Sequence, residues 1–389
     1  MAQLVARGVW DAEAAGSSPV APTISIREEA RASFLWYNYT IMEENSANQN
    51  IIQKTFRRIF FYILIFVLLI SLTFFFVFKD QDLGSIFNIV NHANIAFVAL
   101  GVALMIGYFC VEAWNIRSLL ASFGNKISFL KSLKFTLIGF FFCSVTPGAS
   151  GGQPIEIYYM SKEKIPAANA TMALLVQICG IQISVMALGV IGMVAFPHIL
   201  LNNGIMLMTL IGLAINGFAL VILLVCVFSR RLTQKVVNSG ISVIKFFGYK
   251  KIEQKRASIN KTLKQYSSCS KYILSHRKEF TISILRTLLQ MALFYAIPIC
   301  VYKALNLSGA NLIELFFMQT ILFMATSGLP LPGAVGASET IFLAIYSTIF
   351  GEELLGSALL INRGISFYWF VLVSLIVVFI NAIRIKSQK

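Results

Sequence analysis

The chain has 389 residues, 57% hydrophobic and 13% charged, with a mean hydropathy of +0.77, which excludes an ordinary soluble domain and predicts an all-α polytopic membrane protein. Its formal net charge of +15 raises nucleic acid as a partner, yet the predicted spans leave only Lys79, Lys303 and Arg363 of the 32 Lys and Arg on the outer side. That is the positive-inside asymmetry and needs no nucleic acid.

Residues 1–41 contain no apolar h-region and so do not read as a signal peptide. Gly16-Ser17-Ser18-Pro19 can be encoded by bases that fit the T-arm of a transfer-RNA gene. The expectation is a misannotated or disordered extension, with the natural start at Met42. Lys54, Arg57 and Arg58 then place the N-terminus in the cytoplasm, and Ile59 to Phe78 runs outward as the first span. Asn94 to Trp114 returns as the second and delivers Arg117, Lys126, Lys131 and Lys134 to the inner side.

Residues 135–161 leave one basic cluster and reach another at Lys162 and Lys164, too short a passage for two spans. They predict a re-entrant hairpin: Phe135 to Val145 descends, Pro147 to Gly152 turns, and Pro154 to Met160 climbs back. Ala167 to Phe196 is the third span and Gly204 to Phe228 the fourth. Between Ser229 and Glu279 lies a cytosolic loop with thirteen Lys and Arg, whose amphipathic stretches suit an anionic leaflet. Phe280 to Val301 is the fifth span. Residues 311–350 form a second hairpin around the tip GLPLPGAVGA, entered from outside, and Ile365 to Ile383 is the sixth span, returning the C-terminus to the cytoplasm.

Pro147-Gly148-Ala149-Ser150-Gly151-Gly152 can be laid over Pro332-Gly333-Ala334-Val335-Gly336-Ala337, and each tip sits between the second and third full spans of its unit. The prediction is therefore six spans plus two re-entrant hairpins arranged as an inverted repeat, with units at 42–203 and 204–389. Irregular backbone at bilayer depth survives only where protein or a water-filled cavity satisfies it. The glycines let the chain turn, and Gly151 and Gly152 are expected to bring backbone N–H groups against an anion such as a lipid phosphate.

TPGASGGQPIEIYYM and LPLPGAVGASE resemble the two signature regions of the lysylphosphatidylglycerol synthase transmembrane-region, or flippase-like, family. The resemblance implies movement of an aminoacylated phospholipid such as lysyl-phosphatidylglycerol between leaflets of a bacterial-type plasma membrane. Many relatives carry Gly-Gly-Glu where this chain has Gly151-Gly152-Gln153, so no carboxylate role carries over to Gln153. Large members add a cytosolic aminoacyltransferase domain, for which the loop after Ser229 is too short. The chain is therefore not expected to act as an enzyme alone. Two alternatives stand: a phosphatidylglycerol lysyltransferase component that needs a separate lipid synthase, and a transporter of a small soluble solute.

The candidate lipid-binding residues are Pro147, Gly148, Gly151, Gly152, Gln153 and Glu156 at the first tip, and Pro332, Gly333, Gly336 and Glu339 at the second. Arg286, Glu314 and Arg363 join them as ionisable groups in or beside spans. Glu156 and Glu339 can instead stabilise helix starts, and Arg286 can snorkel. No nucleophile and base stand together, and the six cysteines form no C-x-x-C pair and read as apolar packers. No catalytic site, metal, disulfide or cofactor is expected.

Overall fold

A computed structural model describes residues 83–228 and 277–387, together with Leu64, Val67, Leu68, Ser71 and Ser275. Residues 1–63, most of the expected first span and most of the basic cytosolic loop lie outside the described residues. From Val67 onward the described residues form one folded unit.

The described backbone is helical, with no strand. In chain order the helices are α1 (Leu83–Asn91), α2 (Ile95–Ser122), α3 (Phe129–Val145), α4 (Gly152–Lys162), α5 (Ala167–Ala195), α6 (Asn203–Phe228), α7 (Arg277–Tyr295), α8 (Ile297–Ala304), α9 (Leu312–Thr326), α10 (Ala337–Arg363) and α11 (Trp369–Ser387). Side-chain caps start four of them: Asn94 accepts from Ala96 N at 3.1 Å, Ser128 from Lys131 N at 3.4 Å, Asn202 from Gly204 N at 2.9 Å, and Asn311 from Ile313 N at 3.0 Å. Among the described residues five helical stretches are long and apolar enough to cross a membrane: Ile95–Ser122, Ala167–Ala195, Asn203–Val225, Arg277–Ala304 and Pro332–Ala382.

The distribution of side chains is that of a protein solvated by lipid. On α6, Leu207, Ile211, Phe218 and Val221 are exposed, whereas Asn115, Gln177 and Gln290 are buried inside the bundle. With no aqueous hydrophobic drive between helices in lipid, close approach and interhelical hydrogen bonds hold the bundle together. A β-carbon at Gly212 of α6 would lie 2.9 Å from the Ala325 Cα of α9. One at Gly180 of α5 would lie 3.1 Å from Thr287 Cβ of α7.

Helices α2, α5 and α7 pack on one another, and α9 packs on α5 and α6. The first hairpin, α3 and α4, lies against α2, α5 and α11, sharing a core of Ile116, Leu120, Phe135, Met160 and Met172. Its polar end is tied by Glu163, which pairs with Lys134 and, at 2.9 Å, with Lys131. Partial burial works against the Glu163 charge. The bonds from Lys134 and Lys131 more than offset this and hold its carboxyl below the usual range.

The second hairpin, α9 and α10, is closed by Tyr346, which stacks on Phe342 at 4.4 Å and donates to Leu315 O at 3.1 Å. Its return arm departs from the expected boundary. The helical run from Ala337 is broken at Gly351 (φ 68°, ψ 167°) but resumes at once, and it passes through a π-helical segment, Gly364–Tyr368, into α11. The last apolar helical stretch therefore runs over Pro332–Ala382 rather than starting at Ile365. Arg363 consequently sits well inside a helix instead of at its outer end, because a buried partner takes up its charge.

Candidate functional site

The two Pro-Gly-Ala sequences fold alike. Thr146 (φ −111°, ψ 143°) matches Leu331 (φ −107°, ψ 139°), and Gly148 (φ 58°, ψ 29°) matches Gly333 (φ 57°, ψ 15°). Ala149 and Ala334 follow at φ 53° and 52°. The likeness ends one residue later, where Ser150 is helical and Val335 extended, the point at which the letters diverge. The two turns touch each other. Both contribute to one cavity of about 320 Å³, through Gly148 and Ala149 from the first and Gly333 and Ala334 from the second.

Around the first tip, Thr146 Oγ1 donates to Phe142 O at 2.5 Å and accepts from Gly151 N at 2.9 Å, while Ser150 Oγ donates to Pro147 O at 2.9 Å. The Gly151 N–H is thus taken by the turn itself and does not await an anion. Gly152 faces the other arm of the hairpin: a β-carbon there would collide with Cys143 Sγ and come within 2.9 Å of Gly139 O. Its small size serves the packing of α4 on α3. Gln153, just before Pro154, and Glu156, two positions beyond it, do line the cavity.

At the second tip Glu339 is the third residue of α10. Its Oε2 accepts from Gly336 N at 2.7 Å and from Ser338 Oγ at 3.1 Å, which is the return half of a capping box. Its Oε1 accepts from Arg363 Nε at 2.7 Å, and Arg363 Nη2 donates to Ser338 Oγ. The guanidinium also lies 5.1 Å from the centre of the Phe367 ring. The pair is buried, with side chains 3% and 13% exposed, and Arg363 forms part of the cavity wall. Glu156, in contrast, is five residues into its helix and caps nothing.

Two candidates lie away from the cavity. Arg286 stacks 4.4 Å over Trp114, and Glu314 accepts or shares a proton with His198 Nε2 at 2.7 Å. Pro147 and Pro332 open their turns, and Gly336 (φ 89°) provides the backbone that lets Glu339 reach back. Among the described residues no cluster of His, Cys, Asp and Glu could hold a metal ion.

The sequence reading passed over Glu112. This residue of α2 lines the cavity and accepts from Gln290 Nε2 at 2.9 Å. Gln290 Oε1 accepts from Gln177 Nε2 at 2.8 Å, Gln177 Oε1 from Asn115 Nδ2 at 2.5 Å, and Asn115 Nδ2 also reaches Ser283 Oγ at 2.9 Å. A chain of buried amides thus links three helices and ends on a cavity carboxylate. The signal that finds Glu112 is the rule already used for Glu156: an ionisable residue inside an apolar span is a functional candidate.

Comparison with known proteins agrees with this architecture. Residues 61–374 match the model of the lysylphosphatidylglycerol synthase TM region. A UPF0104 membrane protein of Archaeoglobus fulgidus is 22% identical over 327 residues, covering 80% of this chain and 95% of its own length. Another, from Pyrococcus horikoshii, is 22% identical over 304 residues, covering 72% and 86% respectively. Both tips and every cavity-lining residue fall inside the matched region, and the chain belongs to the lysylphosphatidylglycerol synthase TM-region family of multi-pass membrane proteins.

Proposed function

We propose that the protein is a flippase-like lipid translocator that takes the headgroup of an anionic or lysyl-modified phospholipid, such as lysyl-phosphatidylglycerol, into the cavity beneath the two tips. The observation that carries this reading is the meeting of two alike Pro-Gly-Ala turns on one cavity that holds both signs of charge, Glu112 and Glu156 against Arg363. A volume of about 320 Å³ falls at the low end of ligand pockets, roughly 300–1,000 Å³. That suits a headgroup, leaving the two acyl chains in the bilayer. In this reading the hairpins belong to units of opposite orientation, with both termini cytoplasmic. Rocking of one unit against the other then exposes the site to each leaflet in turn.

The test is leaflet exchange in reconstituted vesicles, with fluorescent lysyl-phosphatidylglycerol compared against phosphatidylglycerol. Exchange above that of protein-free vesicles is expected. Gln153→Glu, which adds a carboxylate to the cavity wall, should shift preference toward the lysyl lipid. Exchange of both lipids equal to that of protein-free vesicles refutes the reading.

A further inference from the structure

The charges around the cavity do not balance. Among the described residues its wall holds two carboxylates, Glu112 and Glu156, and one basic residue, Arg363, whose charge is already met by Glu339. The two carboxylates are also held differently. The amide chain fixes Gln290 so that its donor end faces Glu112, because its oxygen is committed to Gln177. Glu156 is only 5% exposed, and no described residue gives it a hydrogen bond or an ion pair. It packs against Gly139, where a β-carbon would meet its carboxylate. An isolated buried charge of this kind has to be neutralised by a proton or by a counter-charge.

We propose that Glu156, with Glu112 beside it on the cavity wall, is a proton-exchange site that carries H+ when the cavity is empty and releases it when a cationic group enters. This rests on the translocation reading for the identity of that group, an ammonium headgroup. The other titratable groups around Glu156 are Tyr108 of α2, Cys143 of α3 and Arg363 of α10, while α5, α7 and α9 present none to the cavity. The step balances: one proton leaves the Glu156 carboxyl for the aqueous side as one ammonium arrives, and one proton returns when the ammonium departs on the other side. A cavity that recrosses only when neutralised then exchanges one proton for each headgroup. Acid outside drives the cationic lipid outward.

The experiment has two arms. In the first, purified protein is stepped between acid and alkaline pH and the carbonyl stretch of protonated carboxylic acid is followed by infrared difference spectroscopy. A band is expected in the wild type and in Glu163→Gln, and its loss in Glu156→Gln. In the second, wild-type vesicles with the potential clamped by potassium and valinomycin carry fluorescent lysyl-phosphatidylglycerol and an internal pH dye. A gradient of one pH unit, acid outside, should drive up to roughly tenfold lipid asymmetry for one-for-one exchange, with matching internal acidification. Lipid exchange indifferent to the gradient overturns the proton proposal and leaves translocation standing. A gradient response with the infrared band untouched by Glu156→Gln overturns the assignment to Glu156. The band present and lost in Glu156→Gln, with no lipid exchange under any gradient, upholds the proton site and overturns translocation.

Discussion

Replacing Arg363 by Met removes a guanidinium while keeping most of the aliphatic stem that runs through the cavity wall. Glu339 would then lose the donor at 2.7 Å on Oε1, while its other oxygen keeps Gly336 N at 2.7 Å and Ser338 Oγ at 3.1 Å. The carboxylate is 3% exposed, so water cannot replace the lost charge. Breaking one side of a buried ion pair costs about 3–5 kcal/mol, and the two surviving hydrogen bonds place this case at the lower end. That is roughly a 150-fold change or more in the folding equilibrium. Glu339→Gln combined with Arg363→Met leaves no orphan charge and should cost much less than the two single changes added together. The assay is a double-mutant cycle on unfolding in mixed micelles titrated with sodium dodecyl sulfate. A single Arg363→Met within about 0.5 kcal/mol of wild type, or an additive cycle, would refute the buried-pair argument.

Gly212→Ala drives a β-carbon into the backbone of α9, 2.9 Å from Ala325 Cα, and is expected to lower stability by about 1–3 kcal/mol. On the same helix Gly217→Ala meets only Met186 Cε at 3.6 Å and should be near neutral in the same titration. Glu163 has a folded-state pKa below its ordinary 4.5. Its links to Lys131 and Lys134 therefore stabilise fully above that value and are lost as pH falls through the depressed one. Glu163→Gln should accordingly lower thermal stability at neutral pH, by no more than roughly 1 kcal/mol for so exposed a pair, and the gap should close on acidification. A gap that widened in acid would reverse the assignment. A cysteine at Ser161 should react only with cytoplasmic reagents and one at Glu352 only with external ones, and labelling of both from one side would rule out opposite hairpins.

Local rules read from the sequence carried the tips but not their surroundings. Two Pro-Gly-Ala stretches led to an expectation of similar turns, and the backbone angles of Thr146 to Ala149 and Leu331 to Ala334 agree closely, because proline and glycine restrict or free the chain where they stand. Charge misled the boundaries. The expected descent starts at Phe135, after Lys131 and Lys134 on the inner side, yet α3 begins at Phe129, since a lysine ends the apolar surface without ending the helix. Arg363 was likewise read as the edge of a span. What keeps it inside is Glu339, 24 residues earlier, and no periodicity reports a pairing across that distance.

Glu156 and Glu339 show the same limit from the other side. Each is a carboxylate shortly after a Pro-Gly-Ala turn, and each is a candidate by residue type. The structure separates them by register: Glu339 falls on the third residue of its helix, close enough to accept from Gly336 N, whereas Glu156 falls on the fifth residue of α4 and turns toward the cavity. Two residues of offset decide between a capped carboxylate with a counter-charge and one with neither. That offset lies in the chain itself: both helices start five residues after their tip prolines, at Gly152 and Ala337, but Glu156 follows Pro147 by nine residues and Glu339 follows Pro332 by seven. A symmetric pair of turns thus delivers an asymmetric pair of acids: one neutralised by the protein itself, the other left for whatever positive charge the cavity admits.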